Sequence, residues 1–373
     1  MASQTYLISC LCGAAAQTLQ SKSTGQYNDA QLGLCHCDSC RYSTGLLFTS
    51  YYSVEQPQTT NLRSYTASDT WTRYFCSICG CHLLRSRSDS IGLVQWEVAS
   101  GVIAKSDDGL HGERSPLKIK HGHVSDTKDG GASIWIPESM DDTSSLPAPT
   151  SYTPKHDESN VSEKGSLKAA CACGKVDLRI TRPSQAGHNI PKRNYPDLML
   201  PDKSTPISLK SNPSEEKWWI QGSGTKYLAG TCACRSCRLI SGFEVQTWAF
   251  IPRANLALAT TALNDEAQLE PLDFANMPSG ALQSYKSSPG VVREFCGGCG
   301  ATVFWHEDNG ADVIDVSVGL LRSPDGARAE SWLSWWKDRV SFSEEVTNDR
   351  TGFAGEIAQS LVARLEKNMK LCG

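Results

Sequence analysis

Fourteen of the sixteen cysteines in this 373-residue chain fall into one pattern that is written twice. The first copy reads Cys10-x-Cys12-Gly13, then Cys35-x-Cys37-x-x-Cys40-Arg41, then Cys76-x-x-Cys79-Gly80. The second reads Cys171-x-Cys173-Gly174, then Cys232-x-Cys234-x-x-Cys237-Arg238, then Cys296-x-x-Cys299-Gly300. Such turns are sharp, because both sulfurs must reach one ion at about 2.3 Å. Gly80 and Gly300 permit the positive φ that a knuckle of this kind often needs. Seven cysteines per copy do not divide evenly. Four close a tetrahedral thiolate site, and the three left over, with one open position, describe a catalytic zinc.

The repeat extends beyond the cysteines. Leu62-Arg63-Ser64-Tyr65 stands ahead of Cys76 at the offset by which Leu282-Gln283-Ser284-Tyr285 stands ahead of Cys296. Ser68 matches Ser288, Arg73 matches Arg293, and Phe75 matches Phe295. So many matches in register indicate a duplicated domain. Loop lengths differ: Cys12 to Cys35 is 23 residues against 59 for Cys173 to Cys232, and Cys40 to Cys76 is 36 against 59 for Cys237 to Cys296. The extra residues of the second copy fall at roughly 183–217 and 253–279. The first insertion, rich in Pro, Ser, Asn and Lys, reads as surface loop. Residues 139–165 have linker composition, so the expected division is a domain over 1–138, a linker, a domain over 166–346 and a tail over 347–373.

Local patterns favour strands. Ile91–Val98, Val313–Val318, Leu46–Tyr52, Trp71–Phe75 and Thr247–Ile251 are short, β-branched or aromatic, and partly alternating. Ala132–Ile136 has the same character. The tail differs: Phe353, Ile357, Leu361, Leu365 and Met369 recur every four residues, which predicts an amphipathic helix used for packing.

Hydrophobic content of 39%, charged content of 20% and a net charge of −4 suit a globular protein and offer no basic surface for nucleic acid. No apolar run reaches bilayer length, and no basic region followed by an apolar stretch opens the chain. The expected setting is therefore reducing, the cytoplasm with the nucleus as an alternative, where such cysteines are metal ligands rather than disulfides. Candidate closed sites pair Cys10 and Cys12 with Cys76 and Cys79, and Cys171 and Cys173 with Cys296 and Cys299. Spacing leaves a second partition open, in which the central triplet lends two ligands to a four-cysteine site. A zinc held by three thiolates can take a small thiol and favour its thiolate, a strong nucleophile towards an aldehyde carbon. The plainer alternative is that both kinds of cluster only tie loops together.

The order C-x-C-G, C-x-C-x-x-C-R, C-x-x-C-G resembles the glutathione-dependent formaldehyde-activating enzymes and the related centromere-protein-V domain, in tandem form. Ser43-Thr44-Gly45 and Ser241-Gly242 after the triplets support it. So do the stretch from His121-Gly-His123 to Trp135 and that from Trp332 to Phe342, which look like the family's domain end. The resemblance implies a mainly β architecture, two β-tent domains of stacked antiparallel sheets, here with a C-terminal helix. It implies up to two zinc ions per domain: a structural one on Cys10, Cys12, Cys76 and Cys79, or on Cys171, Cys173, Cys296 and Cys299, and a catalytic one on Cys35, Cys37 and Cys40, or on Cys232, Cys234 and Cys237. The implied activity is a carbon–sulfur lyase joining glutathione and formaldehyde into S-hydroxymethylglutathione.

Arg41 and Arg238, directly after the triplets, are candidate anchors for a carboxylate of the thiol substrate; otherwise they are salt-bridged surface residues. Arg73 and Arg293 read as structural strand residues. His36, His82, His121 and His123 are possible ligands or acid–base groups present only in the first copy. Cys81 and Cys372 are spare thiols. The expected partners are a glutathione-like thiol and an aldehyde, with neither nucleic acid nor membrane, and the oligomeric state is open. Two other readings compete with the enzyme: a zinc-stabilised module that binds a protein or chromatin partner, and a thiolate site for metal buffering or redox sensing.

Overall fold

The computed structural model describes residues 4–22, 31–107, 117–138, 165–201, 204–261, 267–309 and 312–372. The expected linker over 139–165 lies outside the described residues apart from Gly165. The first repeat forms β1 (Thr5–Ile8), β2 (Gln17–Gln20), β3 (Gln31–Cys35), β4 (Thr49–Val54), β5 (Leu62–Thr66), β6 (Trp71–Cys76), β7 (His82–Ser88), β8 (Val94–Ala99), β9 (Ile103–Asp107) and β10 (Lys118–Gly122). The second forms β11 (Leu167–Ala170), β12 (Asp177–Ile180), β13 (Ile220–Gln221), β14 (Lys226–Cys232), β15 (Gln246–Pro252), β16 (Leu256–Thr261), β17 (Ala267–Pro271), β18 (Leu282–Ser288), β19 (Val291–Cys296), β20 (Thr302–Glu307), β21 (Val313–Ser317) and β22 (Leu333–Trp335). The helices are α1 (Asp38–Thr44), α2 (Gln185–His188), α3 (Ile207–Lys210), α4 (Arg235–Ser241) and α5 (Phe353–Leu371).

The architecture is mainly β, and the duplication governs it. Each repeat has a large sheet, ordered β10-β3-β4-β8-β7-β6-β5 in the first and β13-β14-β15-β21-β20-β19-β18 in the second. A strand from each domain end joins in parallel, β10 on β3 and β22 on β14, while the other pairs in these sheets are antiparallel. Smaller sheets, β2-β1-β9 and β11-β12-β16-β17, carry the first cysteine pair of each repeat at their edge. The second insertion supplies β16 and β17 to the latter sheet.

Two local expectations give way to turn chemistry. The strand expected from Ile91 begins at Val94, because the Asp89 carboxylate accepts the backbone N–H groups of Ile91 and Leu93 and closes a turn there. Ala132–Ile136 is not a strand. Gly131–Trp135 is a 3₁₀ helix, entered through Gly130 and Gly131 at φ +82° and +53°, with Ser133 Oγ donating to the Gly130 carbonyl. The side chain of Trp135 packs edge-on against Trp335, with ring centroids 5.0 Å apart.

The repeats share one apolar core that takes in Tyr6, Leu34 and Val98 of the first together with Tyr227, Phe304 and Val316 of the second. Their contacts are reciprocal. Leu11 N–H donates to the Leu239 carbonyl at 3.1 Å, and Ala172 N–H donates to the Tyr42 carbonyl at 2.9 Å. Gly101 N–H donates to the Gly242 carbonyl, and Gly319 N–H to the Gly45 carbonyl. Residue i meeting j while the counterpart of j meets the counterpart of i is the signature of a two-fold interface, here within one chain.

Helix α5 locks this arrangement. Its stripe Phe353, Ile357, Leu361, Leu365 and Met369 is buried, as the four-residue spacing predicts. The stripe faces the first repeat as well as the second. The Phe353 ring lies 5.4 Å from that of Tyr52, and the buried Arg364 donates to the carbonyls of Leu117, Pro137 and Glu138.

Candidate metal centres

All fourteen motif cysteines assemble into four groups. Cys10, Cys12, Cys76 and Cys79 converge, as do Cys171, Cys173, Cys296 and Cys299, and within each group every sulfur lies within 4.8 Å of the others. Close sulfur pairs stand 3.4 to 3.6 Å apart, as for Cys173 to Cys296 and Cys171 to Cys296. That is far beyond a disulfide bond and close to the separation of about 3.8 Å between sulfurs around a tetrahedral zinc. The two pairs reach each other because β1 and β6, and likewise β11 and β19, end side by side, although 64 residues separate Cys12 from Cys76. Four converging soft thiols fit zinc.

The central triplets, Cys35, Cys37, Cys40 and Cys232, Cys234, Cys237, form two further groups. This answers the partition that spacing left open, since the triplets stand apart from the four-cysteine groups. No fourth Cys, His, Asp or Glu ligand joins either triplet among the described residues. Local structure explains the convergence. Cys35 and Cys232 end a strand, and Cys37 and Cys234 then cap α1 and α4, their sulfurs accepting the N–H of Cys40 and Cys237 at 3.3 Å. One tight turn of helix carries the third sulfur back to the first, so that Cys40 and Cys35 lie 3.4 Å apart.

The four arginines differ in what they touch. Arg41 is 2% exposed, ion-paired to Asp38 and bonded to the Asp126 carbonyl. Arg238 is 3% exposed and donates to the Gly101 carbonyl. Each guanidinium thus bonds to protein, although Arg41 Nε and Nη1 are buried without a hydrogen-bond partner among the described residues, and Arg238 does not line the cavity described below. Arg73 and Arg293 instead reach the triplets. Arg73 Nη2 donates to Cys40 Sγ at 3.2 Å and its Nη1 to the Tyr51 hydroxyl at 2.9 Å. Arg293 Nη1 stands 3.5 Å from Cys237 Sγ, and its Nη2 donates to Ser236 Oγ at 2.9 Å. The sequence did carry a sign of this: both arginines sit three residues before the first cysteine of the final pair. Hydrogen bonds from Cys35 and Cys37 hold the Cys40 thiol well below its usual range, with the Arg73 charge acting the same way against burial. Cys232, Cys234 and then Arg293 do the same for Cys237.

The histidines join no metal group among the described residues. His36 and His121 bond to each other at 2.9 Å, and His121 also bonds to the Ile136 carbonyl. Burial pushes His36 and His82 down to about 3, so both are neutral. His123 has the left-handed φ of +57° that its counterpart Phe342 shares at +56°. Cys81 and Cys372 also stand outside the metal groups.

A cavity of about 760 Å³ opens over the second triplet. Cys232, Cys234, Cys237 and Arg293 line it together with Trp218, Trp248, Phe250, Trp305 and Asp315. The stretch Lys192–Leu198 forms another part of its wall, so the first insertion is more than the surface loop its composition suggests. Leu198 and Ile190 are buried there, and the Asp197 carboxylate accepts from Arg339, Ser341 Oγ and Phe342 N–H, pinning the insertion to the domain end. Burial pushes the Asp315 carboxyl up to about 8, Glu307 adds to the rise, and Arg293 and Arg193 oppose it.

No helix among the described residues is long and apolar enough to cross a membrane. No curated protein and no solved structure matches the chain. The family model described as glutathione-dependent formaldehyde-activating enzyme matches two segments, 5–115 and 220–338, one in each repeat. With the same seven cysteines gathered twice into a closed four and an open three, the chain belongs to the glutathione-dependent formaldehyde-activating enzyme family.

Proposed function

We propose that this protein is a zinc-dependent carbon–sulfur lyase that forms and cleaves S-hydroxymethylglutathione or a related thiol–aldehyde adduct. The observation that carries the reading is the three-thiolate group without a fourth protein ligand among the described residues, present twice and, in the second repeat, facing a large cavity. In this reading two family domains, 1–138 and 166–346, are joined by 139–165. The four-cysteine groups hold structural ions, and the triplets Cys35, Cys37, Cys40 and Cys232, Cys234, Cys237 hold the ions at the reacting centre. Zinc bound to a triplet would supply a Lewis-acid position that favours the thiolate of an incoming thiol near neutral pH.

The chain's own residues frame that chemistry. Arg73 and Arg293 fix one sulfur of each triplet and offset part of the negative charge of three thiolates. Arg41 and Arg238 brace α1 and α4 through their protein partners. Aromatic walls keep water away from an adduct in the second cavity. The step involves no redox change. The thiol sulfur bonds to the carbonyl carbon, the π pair moves to oxygen, and oxygen gains the proton that the thiol gave up. Cleavage reverses each transfer. In this reading Asp315, a carboxyl that lines the same cavity as Cys234 and Cys237, carries that proton.

Exchange NMR on an equilibrated mixture of glutathione and formaldehyde tests the reading. The zinc-loaded protein should speed interconversion above the uncatalysed rate, and a Cys37→Ser, Cys234→Ser double variant should lose that gain while keeping its fold. Unchanged turnover in the variant, or no acceleration by the fully loaded protein, would sink the proposal.

A further inference from the structure

A row of paired residues crosses the large sheet of each repeat. In the first it reads Ser53, Glu97, Arg85, Arg73 and Tyr65 across β4, β8, β7, β6 and β5. In the second it reads Phe250, Asp315, Trp305, Arg293 and Tyr285 across β15, β21, β20, β19 and β18. Directly paired residues share a face, with Cβ atoms about 5 Å apart. The rows are therefore equivalent, and both present an arginine to the last sulfur of a triplet. A neighbouring position differs in the same sense: Tyr51 corresponds to Trp248, since Thr49 pairs with Cys35 as Gln246 pairs with Cys232.

The first row closes on itself. The Arg85 guanidinium is ion-paired to Glu97 and stacks 3.8 Å from the Tyr51 ring centroid and 4.4 Å from that of Trp71. In the second row tryptophan replaces that arginine and phenylalanine replaces Ser53. Trp305, Phe250 and Trp248 line the 760 Å³ cavity, with Trp218 ahead of β13 facing them. Several charged groups of the lining are already paired within the protein, Arg193 with Glu307 at 2.7 Å and Asp197 with Arg339 at 3.2 Å. Beside the triplet the lining then offers the rings of Trp218, Trp248, Phe250 and Trp305 together with polar groups such as Ser236, Asn194 and Asp315. The volume lies in the range that encloses a ligand of drug size, about 300–1,000 Å³. The thiol part of the adduct shares this volume, so it is the aromatic replacements rather than size alone that bear on the group the aldehyde carbon carries.

We infer that the second site takes thiol adducts whose aldehyde-derived carbon bears an aromatic or bulky apolar group, and that Trp305, Phe250 and Trp248 set this preference; the inference rests on the thiol–aldehyde reading above. Stable thioethers test it apart from turnover. Calorimetry on the intact zinc-loaded protein compares S-benzylglutathione with S-methylglutathione. The benzyl compound should bind about tenfold tighter or better, since it covers a ring face that the methyl compound leaves bare. Trp305→Arg installs the first repeat's residue beside Asp315, a partner equivalent to Glu97, and should reduce the preference to about threefold or less. Phe250→Ser, which changes no charge, should act in the same direction, and both variants should keep their zinc. Equal binding of the two thioethers, or a preference that survives both substitutions, overturns the inference and leaves the lyase reading standing. Binding of neither overturns the inference together with the thiol-adduct reading beneath it.

Discussion

At the scale of single residues, Arg73 and Arg293 matter more than the arginines beside the triplets. Each donates to the sulfur of the last triplet cysteine from a strand that its own repeat holds in register. A group that orients a metal ligand without touching the metal is commonly worth 10–100-fold in metal affinity. Arg293→Met keeps the bulk and removes the donors. It should speed zinc loss from the second triplet to a competing chelator by about tenfold or more, leaving the four-cysteine groups intact. Uniform zinc retention would contradict the role given to Arg293.

Asp315 makes a prediction of its own. Its carboxyl is pushed up to about 8 in the folded protein, from 3.8. The folded chain thus holds a proton that the unfolded chain releases near pH 4. Stability must fall as pH rises from about 4 through about 8, and the full penalty applies above that. Asp315→Asn removes this pH dependence. Thermal melting of the two zinc-loaded proteins should give Tm values that diverge between pH 5 and pH 9, with the wild type losing more. Parallel curves would show that Asp315 ionises without strain. The cysteine groups could be read in the sequence because a knuckle is a local device of two or three residues. The partners of Arg73 and Asp315 could not, because they depend on which strands lie side by side.

At the scale of elements, the features written in local periodicity were legible. The spacing of Phe353, Ile357, Leu361, Leu365 and Met369 predicts α5, and the alternating runs at Trp71, Thr247 and Val313 predict β6, β15 and β21. Ala132–Ile136 misleads because its apolar content matches a strand while Gly130 and Gly131 ahead of it set up a 3₁₀ turn. The Pro- and Ser-rich insertion misleads because composition does not reveal Asp197 as the pin that holds it over a cavity. The segment leading into α5 carries a buried contact of this hidden kind. Arg350 is ion-paired to Glu244 at 2.6 Å, both side chains almost wholly buried, and donates to the carbonyls of Ser100 and Ile103 in the first repeat. Arg350→Met leaves a buried carboxylate uncompensated and should cost about 3–5 kcal/mol in denaturant unfolding. Adding Glu244→Gln should recover part of that loss. A cost under about 1 kcal/mol for the single variant would mean that Glu244 finds another partner.

At the scale of the whole molecule, duplication has produced an internal two-fold pair that shares an apolar core. Gly45 and Gly242 occupy equivalent points of it. Each ends the helix after a triplet at a left-handed φ, +82° and +91°, and a Cβ there would lie 2.2 Å from the Thr302 carbonyl oxygen or 1.9 Å from that of His82, in the opposite repeat. Alanine at either place should destabilise the protein by about 2 kcal/mol or more, through backbone strain and the clash together. Both variants should unfold in one transition, because the core is shared. A separate transition confined to the altered repeat would contradict that coupling. Symmetry of this sort leaves no trace in a linear pattern beyond the repeat itself, although the repeat does announce that two similar surfaces are available to meet.

The two repeats share the same metal groups, a closed four and an open three, while the residues facing the two triplets differ. Zinc content measured together with zinc-edge X-ray absorption tests this arrangement of metal groups most directly. The intact protein should hold four zinc ions per chain, with a mean of between three and four sulfur neighbours and a lighter neighbour making up the rest. The Cys37→Ser, Cys234→Ser variant should hold two ions, each with four sulfurs. Two ions in the intact protein, or four-sulfur coordination at all four, would contradict the account.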